Sequence, residues 1–139
     1  EKFHPFAAAN LAYFPGNPDF KIMQEGASLF LGRHDFRKFC SIDKLTDNYQ
    51  REIFESAIIP HPRAGTGLVP GNAHIFKVRG DGFLRYQVRM MVSALVELGL
   101  GNISLSDMNQ ALHSEECRPL VRHAPANGLI LQDFQFKNL

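Results

Sequence analysis

Gly80-Asp81-Gly82-Phe83-Leu84-Arg85-Tyr86-Gln87-Val88-Arg89-Met90-Met91-Val92-Ser93-Ala94-Leu95-Val96-Glu97-Leu98-Gly99-Leu100-Gly101 reads as a turn, a long helix and a stop. Gly80-Asp81-Gly82 is a turn signature, and Asp81 can cap the helix that follows. Leu84, Val88, Met91, Leu95 and Leu98 recur at helical spacing and form one apolar stripe. Gly99 and Gly101 can end the helix in left-handed backbone. Between Val88 and Leu98 the apolar residues spread around most of the circumference, which predicts burial on more than one side. Arg89 sits inside that run. Its guanidinium cannot lose its charge, and burying it unpaired costs several kcal/mol, on the order of a domain's whole stability. Arg89 must therefore snorkel to water, as a surface arginine does, or meet an anion; the depth of its setting favours an anion.

Outward from this helix the chain alternates strands and helices. Residues 1–17 are irregular, with Pro5, Pro15 and Gly16. Asn17 followed by Pro18 predicts a helix start, and Phe20, Met23, Ala27, Phe30 and Leu31 supply its apolar face up to Gly32. Residues 33–41 interleave basic and aromatic side chains, and a short helical turn would put Phe36 and Phe39 on one side. These two rings could stack bases; core packing is the favoured reading. Residues 49–59 and 73–79 read as paired strands, with Phe76 and Val78 alternating against Lys77 and Arg79. The prolines and glycines of 60–72 make a loop or an insertion. Ser104 or Ser106 caps a short helix to about His113, residues 114–128 are loop, and Leu129 to Phe136 is a last strand. The result is one α+β domain over 1–139, an antiparallel sheet with helices on one face.

The 139 residues suffice for one core; 45% are hydrophobic and 21% charged. No apolar run is long enough to cross a membrane, and no signal peptide opens the chain. Glu1 is not a start residue, so the chain can be a piece of something longer. Cys40 and Cys117 are the only cysteines, which fits a reducing, intracellular setting. A formal net charge of +1 makes any nucleic-acid binding depend on local basic patches. Gly80-x-Gly82 lacks the third glycine of a dinucleotide fingerprint, and Gly65-x-Gly67 lacks the lysine of a phosphate loop. His113 and Cys117 do not make a zinc site, and Cys40 reads as a buried thiol rather than a nucleophile.

Three runs taken together say more: His-Asp-Phe-x-x-Phe-Cys at 34–40, Gly-Phe-Leu-x-x-x-Val-Arg-x-Met-Val at 82–92, and Ala-Pro-Ala-x-Gly-Leu-x-Leu at 124–131. In order and spacing they resemble the C-terminal half of the tRNA pseudouridine synthase A (TruA) family, over about residues 18–136. The wording at 34–40 and Gln87 look closer to eukaryotic members, and Ser93 departs from the family's usual glycine. The resemblance implies the C-terminal part of the pseudouridine synthase catalytic fold and isomerisation of uridine to pseudouridine in tRNA, with no metal and no organic cofactor. The family's Arg-Thr-Asp-x-Gly-Val-His motif, which carries the nucleophilic aspartate, is absent here, and Arg79-Gly80-Asp81-Gly82 does not replace it. The family's active-site tyrosine also lies upstream of this half.

By the same resemblance the arginine matching Arg89 pairs with the catalytic aspartate, and the leucine matching Leu129 forms part of the apolar wall of the uridine site. Arg33, Arg37, Lys38 and Arg85 are candidate phosphate contacts, with a solvated charged face as the alternative. The implied partners are tRNA and an N-terminal catalytic half, with a homodimer allowed; nucleus, cytoplasm and mitochondrion are not distinguished. The other readings are a non-catalytic RNA-binding module with the same fold and an unrelated α+β interaction domain.

Overall fold

A computed structural model describes residues 11–42 and 48–132. Helix α1 spans Phe20–Leu29, strand β1 Gly32–Asp35, a 3-10 turn Arg37–Phe39, strand β2 Gln50–Pro60, strand β3 His74–Gly80, helix α2 Gln87–Gly99 and helix α3 Leu105–Ala111. The fold is α+β, and the three strands form one antiparallel sheet in the order β1-β2-β3. β2 is the long central strand: Gln50 to Ile53 pair with β1, and Ile53 to Pro60 pair with β3.

Helix α1 packs on β2 with Met23 and Ala27 in the core, and one side chain from each element fixes it there. Beyond Ile53 the β1 edge of β2 has no strand partner, and Gln24 of α1 covers it by accepting from the Ile58 N–H at 2.7 Å. The buried Ser56 hydroxyl donates to the Ala27 carbonyl at 2.6 Å, so two polar groups that would cost free energy unpaired satisfy each other. Ile58, Phe76 and Val78 face the core on the same side. The opposite face carries Glu55 with Lys77 and Arg79, and a bulge between Ile53 and Glu55 turns Phe54 outward under the Arg79 guanidinium.

Phe30, Phe36 and Phe39 are fully buried and pack edge to face or tilted, with centroids 5.3–6.2 Å apart. The 3-10 turn places Phe36 and Phe39 in the core, which rules out base stacking by either ring. Cys40 is buried with them and donates to the Arg37 carbonyl. On α2, Met90, Met91, Ala94, Leu95 and Leu98 are buried on one side and Val96 on the other, so the predicted two-sided burial is present. Gly26 of α1 lets the helices close: a Cβ there would collide with Leu98 and crowd Leu95 and Met108.

Several expected boundaries move. The N-cap of α1 is Asp19, whose carboxylate accepts from Lys21 N and Ile22 N, so the helix begins two residues after Pro18. Asp81 does not cap α2. Its carboxylate accepts from Glu52 N at 3.0 Å while its own N–H donates to Glu52 O, and this exchange prolongs the β2–β3 ladder. Helix α2 therefore starts only at Gln87. It ends as expected on Gly101, whose φ is +79°: Gly101 N donates to Leu98 O and Asn102 N to Glu97 O, a Schellman closure. Strand β1 was not expected; four residues paired to β2 suffice to form it. Residues 129–132 are not strand, and the rest of the predicted last strand lies outside the described residues, as does most of the irregular lead-in. No helix among the described residues is long and apolar enough to cross a membrane.

Candidate active-site wall

Between β3 and α2 the chain makes a turn whose third residue, Tyr86, has φ 62° and ψ 9°. It is the only described non-glycine residue with positive φ. A tyrosine in left-handed backbone costs on the order of 1–3 kcal/mol and persists only where neighbours over-determine it. Gln87 does so. Its backbone N–H donates to Leu84 O at 3.0 Å, and its buried side-chain oxygen accepts from Leu84 N at 2.8 Å. Leu84 is buried too, so both ends of the turn are anchored in the core.

Three groups gather on the Tyr86 ring. The guanidinium of Arg89 lies 4.8 Å from the ring centroid and that of Arg85 5.0 Å. The His123 ring stacks on it at 4.8 Å and 24°. The hydrogen bond from Arg85 to the phenol, aided by the charges of Arg85 and Arg89, holds the Tyr86 hydroxyl below its usual pKa. A spacing of four residues puts Arg85 and Arg89 on one face if both are helical. Arg85 precedes the helix, yet the two meet on this ring.

Arg89 is half-buried, and its Nε donates to the Ala124 carbonyl at 2.7 Å. The Ala124 N–H donates back to the Arg89 carbonyl at 3.1 Å. That double tie holds the 124–128 segment beside α2; Leu129 follows it, 54% exposed. No carboxylate among the described residues lies within ion-pairing distance of Arg89. The anion favoured from sequence is thus not supplied by these residues; a carbonyl and an aromatic face hold the guanidinium instead.

The remaining cations lie apart from that ring. Arg37 is a two-pronged partner of Asp35, at 2.7–3.0 Å, and also donates to Glu115 O. The Asp35 hydrogen bond raises the Arg37 pKa further above an already high value. Lys38 pairs with Glu116 at 3.3 Å, and its carbonyl accepts from Leu120 N. Arg33 is exposed and stands 3.7 and 3.9 Å from Glu52 and Asp81. Tyr86 and His123 were not read from the sequence. The signal was an aromatic residue between two arginines, Arg85-Tyr86-x-x-Arg89, on the turn that opens the longest helix.

The strained turn at Tyr86, the cluster of Arg85, Arg89 and His123 on its ring, and the exposed Leu129 that follows the loop pinned by Arg89 make up the candidate wall. The family profile described as tRNA pseudouridine synthase matches residues 27–137, and the chain belongs to that family. It is 34% identical over 125 residues to a tRNA pseudouridine synthase A of Methanosphaera stadtmanae, covering 88% of this chain and 42% of that protein. It is 30% identical over 128 residues to the tRNA pseudouridine synthase A of Staphylococcus aureus, covering 92% of this chain and 45% of that protein. The chain spans less than half the length of these curated relatives.

Proposed function

We propose that this chain forms one wall of the catalytic cleft of a tRNA pseudouridine synthase, the isomerase that converts uridine to pseudouridine in tRNA. The nucleophilic aspartate belongs to a segment outside these 139 residues, in an N-terminal half that completes the cleft. The observation that carries this reading is the setting of Arg89. Its Nε is bound by Ala124 and its central carbon lies over the Tyr86 ring, while its two terminal nitrogens have no partner among the described residues. A guanidinium held by one nitrogen and one face is prepared to receive a carboxylate on the remaining edge. Such a pair would keep the aspartate ionised, because an opposite charge close by favours the charged form.

Leu129, exposed just after the pinned loop, contributes to the apolar wall against uracil. Arg33 and Arg85, the more exposed cations, contact phosphates, and Arg37 and Lys38 do so while sharing their carboxylates. The chemistry uses no metal and no organic cofactor. The complete enzyme is intracellular, and pairing of two copies is compatible with the exposed sheet face.

Alone, the 139-residue chain makes no pseudouridine. Joined to a preceding segment that carries the Arg-Thr-Asp-x-Gly-Val-His motif, it converts uridine in tRNA. A base-resolved pseudouridine assay on both proteins tests this. Turnover by the chain alone would place the nucleophile within it, with Asp81 the first suspect. A longer protein that binds tRNA without turnover would be a binding module instead.

A further inference from the structure

We infer that Tyr86 is a positioning residue for Arg89: its ring is the platform against which the guanidinium is set, and its left-handed backbone is kept for that purpose. The inference rests on the reading of Arg89 given above and goes beyond it, since that reading needs only the arginine. Position 86 is the third residue of a turn closed by Leu84 and Gln87, where positive φ favours Gly or Asn. A tyrosine there is a poor choice for the backbone alone. The side chain must supply what the backbone gives up, and what it touches is Arg89, Arg85 and His123.

The geometry gives the ring a distinct task. Ala124 fixes Arg89 through Nε alone, and a guanidinium held at one nitrogen still swings about that bond. A flat ring 4.8 Å from the guanidinium carbon restricts the swing and fixes the plane in which the terminal nitrogens lie. A bidentate carboxylate contact needs that plane. His123 stacks on the same ring, so the platform is tied to the loop that also carries Ala124. Tyr86 touches neither base nor nucleophile in this arrangement and acts through Arg89.

The test uses the complete enzyme with wild type, Tyr86→Phe, Tyr86→Asn and Arg89→Lys. Asn accepts left-handed backbone, so Tyr86→Asn preserves the turn and removes only the platform. Its expected signature is a kcat roughly ten- to a hundredfold lower, the scale set by misplaced catalytic groups, with KM for tRNA within about twofold and a melting temperature within about 5 °C of wild type. Tyr86→Phe, which keeps the ring, is expected to hold kcat within about twofold. On the nitrogen-15-labelled 139-residue chain, the Arg89 Nε–H proton resonance should lie upfield in wild type and Tyr86→Phe and move downfield in Tyr86→Asn.

Near-normal kcat in Tyr86→Asn, with Arg89→Lys still impaired, overturns the role of Tyr86 and leaves that of Arg89 standing. A fall in Tyr86→Phe as deep as in Tyr86→Asn overturns the platform in favour of the hydroxyl. A fall in kcat matched by a collapse in melting temperature makes the residue structural. Absence of turnover by the wild-type complete enzyme overturns the reading of Arg89, and this inference with it.

Discussion

Arg89 shows how one side chain can be half-buried without an ion pair among the described residues. The carbonyl of Ala124 and the ring of Tyr86 offset part of its desolvation, and its two terminal nitrogens have no partner among the described residues. Lysine would keep the charge but lose both the Nε donor to Ala124 and the flat face that meets the ring. Arg89→Lys in the complete enzyme is therefore expected to lower kcat at least about tenfold, which is ~1.4 kcal/mol in the barrier. The affinity for tRNA, set by phosphate contacts elsewhere, should stay within about twofold. Single-turnover rates alongside filter binding separate the two, and near-normal turnover would remove Arg89 from catalysis. At this scale the sequence disclosed the arginine, through the conflict between its charge and the apolar run around it. It did not disclose Tyr86 or His123, because their roles come from a positive φ and from a loop 37 residues further along the chain.

At the scale of elements, caps decide what begins where. Helix α3 is closed by a reciprocal capping box in which Ser104 Oγ accepts from Asp107 N and the Asp107 carboxylate accepts from Ser104 N. The hydrogen bonds from the backbone N–H and the side chain of Ser104 lower the Asp107 pKa below its ordinary 3.8. A carboxylate whose folded pKa is depressed adds stability that is complete above its unfolded pKa and is lost as pH falls through the folded one. Thermal melts from pH 6 to pH 2.5 should therefore show Tm falling below about pH 4, the ordinary range of an aspartate. Asp107→Asn should flatten part of that slope, and an unchanged slope would deny the box any share in it. The helix start was legible, with its cap open between Ser104 and Ser106; the reciprocal bonds with Asp107 settle it as Ser104. The start of α2 was not legible. Glycine and aspartate at 80–82 resemble a helix entry, and only the pairing of Asp81 with Glu52 across the sheet reveals a strand extension. Strand β1 escaped for a related reason: Gly32–Asp35 has no alternation of its own and is strand only because β2 lies beside it.

For the whole molecule the charge balance sets the terms of the proposed encounter with RNA. A net charge of +1 provides no long-range attraction, so the proposed tRNA binding would rest on a few local cations. If Arg33, Arg37, Lys38 and Arg85 each neutralise one phosphate, the logarithm of affinity should fall against the logarithm of salt with a slope of about −3 to −4. Removing Arg85 should reduce the steepness by about one; a slope near zero would exclude phosphate contact as the basis of binding. The α+β class, the β2–β3 hairpin and the two-sided burial of α2 were all visible in hydrophobic periodicity. The final strand expected from Leu129 was not realised through residue 132. Alternating apolar residues promise a strand only where a neighbouring edge is available, and none of the three strands lies against these residues.

The loop after α3 is fastened by polar ties as well as packed, with Leu120 and Val121 against the core and Ala124 buried. Arg37 holds the Glu115 carbonyl, Lys38 holds Glu116 and Leu120, and Arg89 holds Ala124 twice. Two of these ties join residues 78 apart in the chain. The ties of Arg37 and Lys38 to residues 115 and 116 are polar and exposed, so this part of the loop should release at a free energy below that of global unfolding. In hydrogen exchange, the amides of Leu120 and Ala124 would report this local opening, while that of Met90, inside the first turn of α2, would wait for a larger unit to unfold. The segment that leads to Leu129 would thus behave as a latch, opening on its own while the helix that holds Arg89 stays closed.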